Sequence, residues 1–231
     1  MKISVKGLIF DYGGTLDTNG VHWGEVIRQA YAAFNVPVSR ERFREAYVHV
    51  EQKLGYQPLI QPHHTFMETL EIKIKLQFEM LGLTDFALSH QIATFCYEKT
   101  VQTIRHSTRV LDVLSKHYPM ALVSNFYGNL RTVLREFGLT DYFQAVIESA
   151  EAGIRKPDPA IFRLGLDALG FPPHEIAVIG DSYKNDITPA TQLGCPAIWL
   201  KVKSWHEQDE TIAHPYIIQD ITQCPPLVIP A

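Results

Sequence analysis

The stretch Leu8-Ile9-Phe10-Asp11-Tyr12-Gly13-Gly14-Thr15-Leu16 decides how the rest of the chain is read. An apolar run ends on a carboxylate and two glycines follow at once. A buried strand over Val5 to Phe10 is expected, delivering Asp11 at its carboxyl end, the edge where open α/β sheets place their ligands. Gly13 and Gly14 allow a sharp turn and a close backbone approach. Their N–H groups are candidates to cradle an anion. Taken alone the stretch equally suits an ordinary strand followed by a capped turn, so the choice falls to what lies further along.

Past the glycines the apolar residues take up helical spacing. Trp23, Val26, Ile27, Ala30, Tyr31 and Phe34 recur at such intervals, and Phe43, Ala46, Tyr47, Val50 and Leu54 do so after Ser39, an N-cap residue type. Gly55 to Pro62 reads as a loop, broken by Pro58 and Pro62. Met67, Leu70, Ile74, Phe78 and Leu81 make a third stripe that ends at Gly82, and Leu88, Ile92, Phe95 and Cys96 make a fourth. Amphipathic helices of this kind suit a small bundle.

From Thr108 onward helices and strands alternate. A helix through Val110 and Leu114 precedes a strand from Met120 to Val123 that runs into Ser124-Asn125. A helix over Leu130 to Phe137 leads to a weak strand, Ala145 to Ile147. Asp158-Pro159 opens the next helix. Glu175 to Ile179 is a strand ending on Gly180-Asp181, and Asp186 to Leu193 is a helix. Strands follow at Pro196 to Leu200 and at Tyr216 to Ile218. This alternation predicts an α/β fold, a doubly wound parallel sheet covered on both faces. Residues 1–17 and 106–231 are expected to form that core, and residues 18–105 an inserted α-helical cap over the Asp11 loop.

Composition narrows the function classes. With 46% hydrophobic and 20% charged residues the chain can bury a full core. A net charge of -4 and the lack of a basic cluster argue against nucleic acid as partner. No apolar run approaches the roughly 18 residues of a membrane span. Cys96, Cys195 and Cys224 are few and far apart, which fits free thiols in a reducing compartment. The N-terminus lacks a signal-peptide pattern, so a cytoplasmic protein is expected.

Polar residues now mark successive strand ends: Asp11, Ser124-Asn125, Lys156 beyond the weak strand, and Asp181 with Asp186. In a parallel sheet these ends share one edge. Carboxylate oxygens suit Mg²⁺, which takes one or two protein carboxylates plus substrate phosphate. Lysine and exposed amides suit phosphate oxygens. Singly each residue also reads as a cap or a solvated side chain; jointly they point to a site.

In this order, Asp11-x-x-Gly14-Thr15-Leu16, Ser124-Asn125, Lys156-Pro157 and Gly180-Asp181-x-x-x-x-Asp186 resemble the four motifs of the haloacid dehalogenase superfamily. The helical insertion sits where that family carries a cap. The resemblance implies that Asp11 is a nucleophile forming an aspartyl-phosphate. It implies Mg²⁺ held by Asp11, the Gly13 carbonyl and Asp181, with Asp186 behind the ion or paired with Lys156. Ser124 and the Asn125 amide are expected on the phosphoryl group, with Lys156 neutralising it and fixing Asp11. Gly14, through its N–H, and Tyr12 are expected to contact phosphate or substrate, as are His22 and Trp23.

One position departs from the pattern. Phosphatases of this family commonly carry a second aspartate two residues after the nucleophile, as acid and base; here it is Gly13. The expected function is therefore a Mg²⁺-dependent phosphatase of a small phosphorylated metabolite whose leaving group needs little protonation. Alternatives are a phosphate-binding or regulatory protein with little turnover, and a phosphonate C–P hydrolase using Lys53 on the cap. Dehalogenases of the family lack the metal aspartate, whereas Asp181 is present. Phe126 and Tyr127 are expected to border the site. His63, His64, Trp205 and His206 read as loop or surface, and the tail from Cys224 as an extended strap.

Overall fold

Leu8, Ile9 and Phe10 are fully buried. In the computed structural model, which describes residues 2–202, 205 and 211–231, they lie in β2 (Gly7–Phe10). The single strand expected from Val5 is in fact two. β1 (Ile3–Val5) pairs with β8 (Val228–Pro230) at the other end of the chain. Lys6 separates β1 from β2. It is exposed and its Nζ stands 2.8 Å from Glu175. A charge between two buried runs must reach solvent, and the chain changes sheets there.

The main sheet has the order β4-β3-β2-β5-β6-β7, and every neighbouring pair is parallel. Its other strands are β3 (Met120–Ser124), β4 (Ala145–Glu148), β5 (Ile176–Gly180), β6 (Ala197–Leu200) and β7 (Ile217–Ile218). Alternation assigns the two faces. Leu8, Phe10, Ala177 and Ile179 join one hydrophobic core. Ile9, Ile176 and Val178 join the other. The second face is covered by α7 (Ala160–Leu169) and α8 (Thr188–Gln192), through Ile161, Phe162 and Ala190. Asp158 Oδ1 accepts the Ala160 N–H at 2.9 Å, which starts α7 where Asp158-Pro159 predicts. The fold is thus the α/β, parallel-sheet architecture the sequence predicts. The helix expected from Asp186 begins as a wide π-type turn over Tyr183–Ile187 before α8.

Between β2 and β3 lie α1 (Trp23–Ala33), α2 (Arg40–Tyr56), α3 (Phe66–Leu81) and α4 (Phe86–Leu114). Ser39, Thr65 and Asp85 cap α2, α3 and α4, each side chain accepting a first-turn N–H. The fourth stripe and the helix after Thr108, expected as separate elements, are one 29-residue helix. No glycine or proline interrupts residues 86–114, so nothing ends it. At roughly 1.5 Å per residue α4 is about 43 Å long, and it carries the helical segment into the layer beside the sheet. Ser107 on α4 donates to the Leu16 carbonyl at 2.7 Å, tying that helix to the turn after Asp11. β3 is followed by α5 (Leu130–Glu136), and α6 (Ser149–Ala152) by the Lys156 loop. The tail from Cys224 makes a short turn and then β8. Among the described residues no helix is long and apolar enough to cross a membrane.

Candidate active site at the carboxyl ends of the central strands

From β2 the winding moves outward through β3 and β4, then restarts on the opposite side with β5, β6 and β7. Such a reversal leaves a crevice at the carboxyl ends of the two strands that flank it, here β2 and β5. Asp11 follows the first and Asp181 the second. The Asp11 N–H donates to the Ile179 carbonyl at 2.9 Å, extending the pairing one residue past Phe10.

The turn after Asp11 is built on the Tyr12 carbonyl, which accepts from Thr15 N at 3.2 Å and Leu16 N at 2.9 Å. Gly14 has φ +97°, and a Cβ there would stand 2.6 Å from Asp181 Cγ, inside its carboxylate. Only glycine lets the loop close over Asp181. Asp17 Oδ1 accepts the Gly14 N–H at 2.7 Å and Asp17 Oδ2 accepts Trp23 Nε1–H at 2.9 Å. The Gly14 N–H expected to cradle an anion is therefore engaged by Asp17, which lies within reach because the turn folds back on itself. Gly13 is different: a Cβ added to it meets no atom within 4 Å.

Four strand ends converge as the motif order predicts. Lys156 Nζ stands 2.6 Å from both Asp11 Oδ1 and Asp186 Oδ1, and all three side chains are buried. Ser124 Oγ donates to Asp11 Oδ1 at 3.0 Å. Thr15 Oγ1 lies 3.0 Å from Asp11 Oδ2 and 3.2 Å from Asp181 Oδ1, and accepts the Asp181 N–H at 3.1 Å. The Asn125 side chain grips the Lys156 backbone from both sides: Nδ2 donates to its carbonyl at 3.1 Å and Oδ1 accepts its N–H at 2.9 Å. Asp186 Oδ2 accepts Ser182 N–H at 3.0 Å.

Carboxyl oxygens of Asp11, Asp181 and Asp186 lie within 4.8 Å of one another. Burial works against the Lys156 charge, but Asp11 and Asp186 outweigh it and hold the ammonium above its ordinary range. Burial, then the charges of Asp11 and Asp186, push Asp181 well above the usual carboxylate range. Burial also raises Asp186, with Lys156 opposing, and burial lifts Asp17 to about 7. Among the described residues the Lys156 ion pairs go to Asp11 and Asp186, and Asp181 has no cationic partner. A half-buried carboxylate beside two buried ones, without its own counter-charge, is the donor set a hard divalent cation such as Mg²⁺ fits.

This electrostatics carries a pH prediction. A carboxyl group whose folded pKa is raised binds its proton more tightly folded than unfolded, so stability falls as pH rises through the interval between the two values. For Asp17 that interval runs from 3.8 to about 7, and Asp181 and Asp186 shift in the same direction. In chelator, the melting temperature is expected to be lower at about pH 7.5 than at about pH 5.5. Saturating Mg²⁺ is expected to narrow the gap, because a cation that binds ionised carboxylates stabilises the folded state most where they are ionised. Equal melting temperatures in chelator, or a gap that Mg²⁺ leaves untouched, would contradict this account.

Two cavities, of about 170 and 140 Å³, meet at Gly13, His22, Asn125 and Asp181. The first opens over Asp11, Lys156 and Asp186. The second runs from Gly13 and Gly14 towards Trp23, Tyr47, Phe66 and Lys73 of the helical insertion. Tyr12, expected on the substrate, lines neither cavity; it is fully buried, its ring packed edge-on to Phe126 at 5.7 Å. It belongs to the core because it sits under the turn that brings Asp11 to the crevice. Trp205, read as surface, stacks on His22 at 4.9 Å and lines the first cavity. His206 lies outside the described residues. His22 also caps α1, its Nδ1 accepting Gly24 N–H at 3.0 Å. His63 is exposed, and His64 Nδ1 accepts Gln61 N–H at 3.0 Å. Lys53 lines neither cavity.

Among the residues at the site given no role from sequence are Thr15, Glu51 and Lys73. Lys73 had a signal. It stands three residues after Leu70 on the apolar stripe of α3, where a charge is out of place unless something buried pairs with it.

Residues 5–194 match the family model of haloacid dehalogenase-like hydrolases. The haloacid dehalogenase-like hydrolase domain-containing protein 3 of Danio rerio is 29% identical over 154 residues, which span 64% of this chain and 64% of that protein. A protein of Yersinia pestis named phosphoglycolate phosphatase is 24% identical over 222 residues, spanning 92% of this chain and 88% of its own length. Among solved structures, the magnesium-bound HAD hydrolase YfnB of Bacillus subtilis superposes with a TM-score of 0.58 at 20% identity, covering 96% of this chain and 97% of that one. That likeness concerns the fold.

Proposed function

The chain belongs to the haloacid dehalogenase-like hydrolases, and from that premise we propose that it is a Mg²⁺-dependent phosphatase of a small phosphorylated metabolite, acting in the cytoplasm. The observation that carries this reading is the Asp11 carboxylate, which receives Lys156, Ser124 and Thr15 within 3.0 Å beside Asp181, which has no cationic partner among the described residues. A relative named phosphatase supports it.

Asp11 attacks phosphorus through a carboxylate oxygen; the P–O bond to the leaving group breaks and an aspartyl-phosphate forms. Water then attacks that phosphorus and releases phosphate and the free carboxylate. Lys156 holds Asp11 in place and neutralises phosphoryl charge, and Ser124 offers its hydroxyl to the same group. The Asp11 and Asp181 carboxylates and the Gly13 carbonyl would hold Mg²⁺, which would supply further neutralisation of phosphoryl charge. Asp186 keeps Lys156 aligned. The helical insertion serves as a cap that limits water over the second cavity. Gly13 offers no proton to the departing oxygen, so leaving groups that depart with little protonation are favoured.

Gly13 also supports a second reading, a phosphate-binding protein with little turnover. Lys53 lies away from both cavities, which leaves C–P cleavage through that lysine without support. A panel of phosphomonoesters assayed with Mg²⁺ and with chelator separates the readings. Phosphate release that needs Mg²⁺ is the expected result. Release that survives complete metal removal contradicts the first reading. Stabilisation by Mg²⁺ with phosphate, and no ester turned over, establishes the second.

A further inference from the structure

The 140 Å³ cavity beyond Gly13 ends on a closed triangle of polar side chains. Lys73 on α3 is buried; its Nζ stands 2.7 Å from Glu51 Oε1 on α2 and donates to Tyr127 Oη at 2.9 Å. Tyr127, just past β3, donates in turn to Glu51 Oε2 at 2.7 Å. The ammonium also lies 5.0 Å from the Tyr127 ring and 5.7 Å from the Trp23 ring. Burial works against the Lys73 charge, but Glu51 and Tyr47 outweigh it and the group stays a cation.

The charge around the cavity restricts what can enter it. Its lining holds one cation, Lys73, and two carboxylates, Glu51 and Asp181. Asp181 is committed to Mg²⁺ in the proposed reaction and Glu51 to Lys73, so a leaving group bearing a carboxylate or an amine finds a like charge and no free counter-charge in a confined space. Hydroxyl groups face no such penalty. One Lys73 N–H serves Tyr127 and the ammonium faces Glu51 as an ion pair, so donor capacity remains on Lys73 and the Glu51 oxygens keep acceptor capacity. A hydroxyl both donates and accepts, so it completes the triangle without opening the ion pair, while Trp23, Phe66 and Leu70 cover the carbon chain.

We propose that the Lys73–Glu51–Tyr127 triangle selects uncharged, hydroxyl-bearing leaving groups, so that the substrates are sugar or polyol monophosphates rather than phosphorylated acids or amines. This rests on the phosphatase reading and adds a substrate class to it. The catalytic cluster around Asp11 handles the phosphoryl group, and the triangle reads what is attached to it.

The test compares kcat/KM with Mg²⁺ for four small phosphomonoesters, glycerol 3-phosphate, 3-phosphoglycerate, O-phosphoethanolamine and n-propyl phosphate; all four release an alkoxide, so the missing proton donor at Gly13 slows them alike and their ratios read the triangle. The wild type is expected to favour glycerol 3-phosphate by about tenfold or more over each of the others. Glu51→Gln removes one negative charge with little change of shape, and is expected to raise 3-phosphoglycerate relative to glycerol 3-phosphate. Lys73→Met is expected to lower glycerol 3-phosphate by about tenfold more than n-propyl phosphate. Preference of the wild type for 3-phosphoglycerate, O-phosphoethanolamine or n-propyl phosphate overturns the proposal and leaves the phosphatase reading standing. So do unchanged ratios in a Glu51→Gln variant that melts as the wild type does, since the triangle is then only a tie between helices and core. Turnover of none of these, nor of an activated aryl phosphate, overturns the phosphatase reading and this proposal with it.

Discussion

Asp11→Asn is expected to lower phosphate release by roughly 10⁴–10⁶-fold while leaving the protein folded. The substitution keeps the shape of the side chain and removes the carboxylate proposed as nucleophile. With the amide oxygen at the Oδ1 position Ser124 keeps its acceptor, and the Thr15 hydroxyl, now 3.0 Å from Oδ2, can accept from the new NH₂ while donating to Asp181 at 3.2 Å. Lys156 keeps Asp186 at 2.6 Å as its counter-charge. Breaking a buried ion pair ordinarily destabilises by about 3–5 kcal/mol. Here the loss is offset, because Asp11 is also one of the charges that push the Asp181 proton affinity up. In chelator the variant is therefore expected to melt at or above the wild-type temperature, whereas the stabilisation produced by Mg²⁺ shrinks. Steady-state assays paired with thermal melts in Mg²⁺ and in chelator check both halves. A folded variant with activity within about tenfold of wild type would remove Asp11 from the nucleophile role.

Gly13→Asp is expected to act in the opposite direction. General acid–base catalysis contributes about 10²–10⁴-fold, and an aspartate at this position restores a proton donor on the side of the leaving oxygen. The structure has room for it, since a Cβ on Gly13 meets no atom within 4 Å and the residue does not adopt a left-handed backbone. Turnover of alkyl phosphates is expected to rise about 10²-fold, near 3 kcal/mol of barrier. Aryl phosphates, whose leaving groups depart unprotonated, are expected to gain much less. That split between leaving groups is the diagnostic measurement. Equal gains on both would show that Gly13 matters to something other than proton transfer. A general loss would show that the void beside Gly13 holds substrate. Activity appearing only in the variant would favour the binding protein over the phosphatase.

Asp11, Ser124 and Asp181 were legible in the sequence because each sits at a local boundary, where an apolar run stops on a polar residue or a glycine; Lys156, in a loop beyond β4 and α6, was legible through its place in the motif order. Such boundaries follow from short-range chemistry, and once the strands are known to be parallel their ends must share an edge. The helical stripes of α1, α2 and α3 were legible for a similar reason: a period of 3.6 residues reports which face is buried. The period does not report against what. α4 read as two helices because its apolar face changes partner, from the other helices to the sheet, without a break in the backbone.

What only tertiary structure decided lies between segments that are distant in the chain. Lys6 splits the first strand because Val228–Pro230 arrives from the C-terminus to pair with one half. Gly14 loses its free N–H because the turn brings Asp17 back to it. Trp205 leaves the surface because His22 stands opposite it. Lys73 and Glu51, on different helices, pair only when α2 and α3 pack beside Tyr127. The sequence alone determined the sheet, the order of its chemistry-bearing ends and the residue missing at Gly13, because these are properties of single elements. The depth of the charges and the wall facing the Asp11 carboxylate were decided by packing, because desolvation and pairing exist only where separate elements meet.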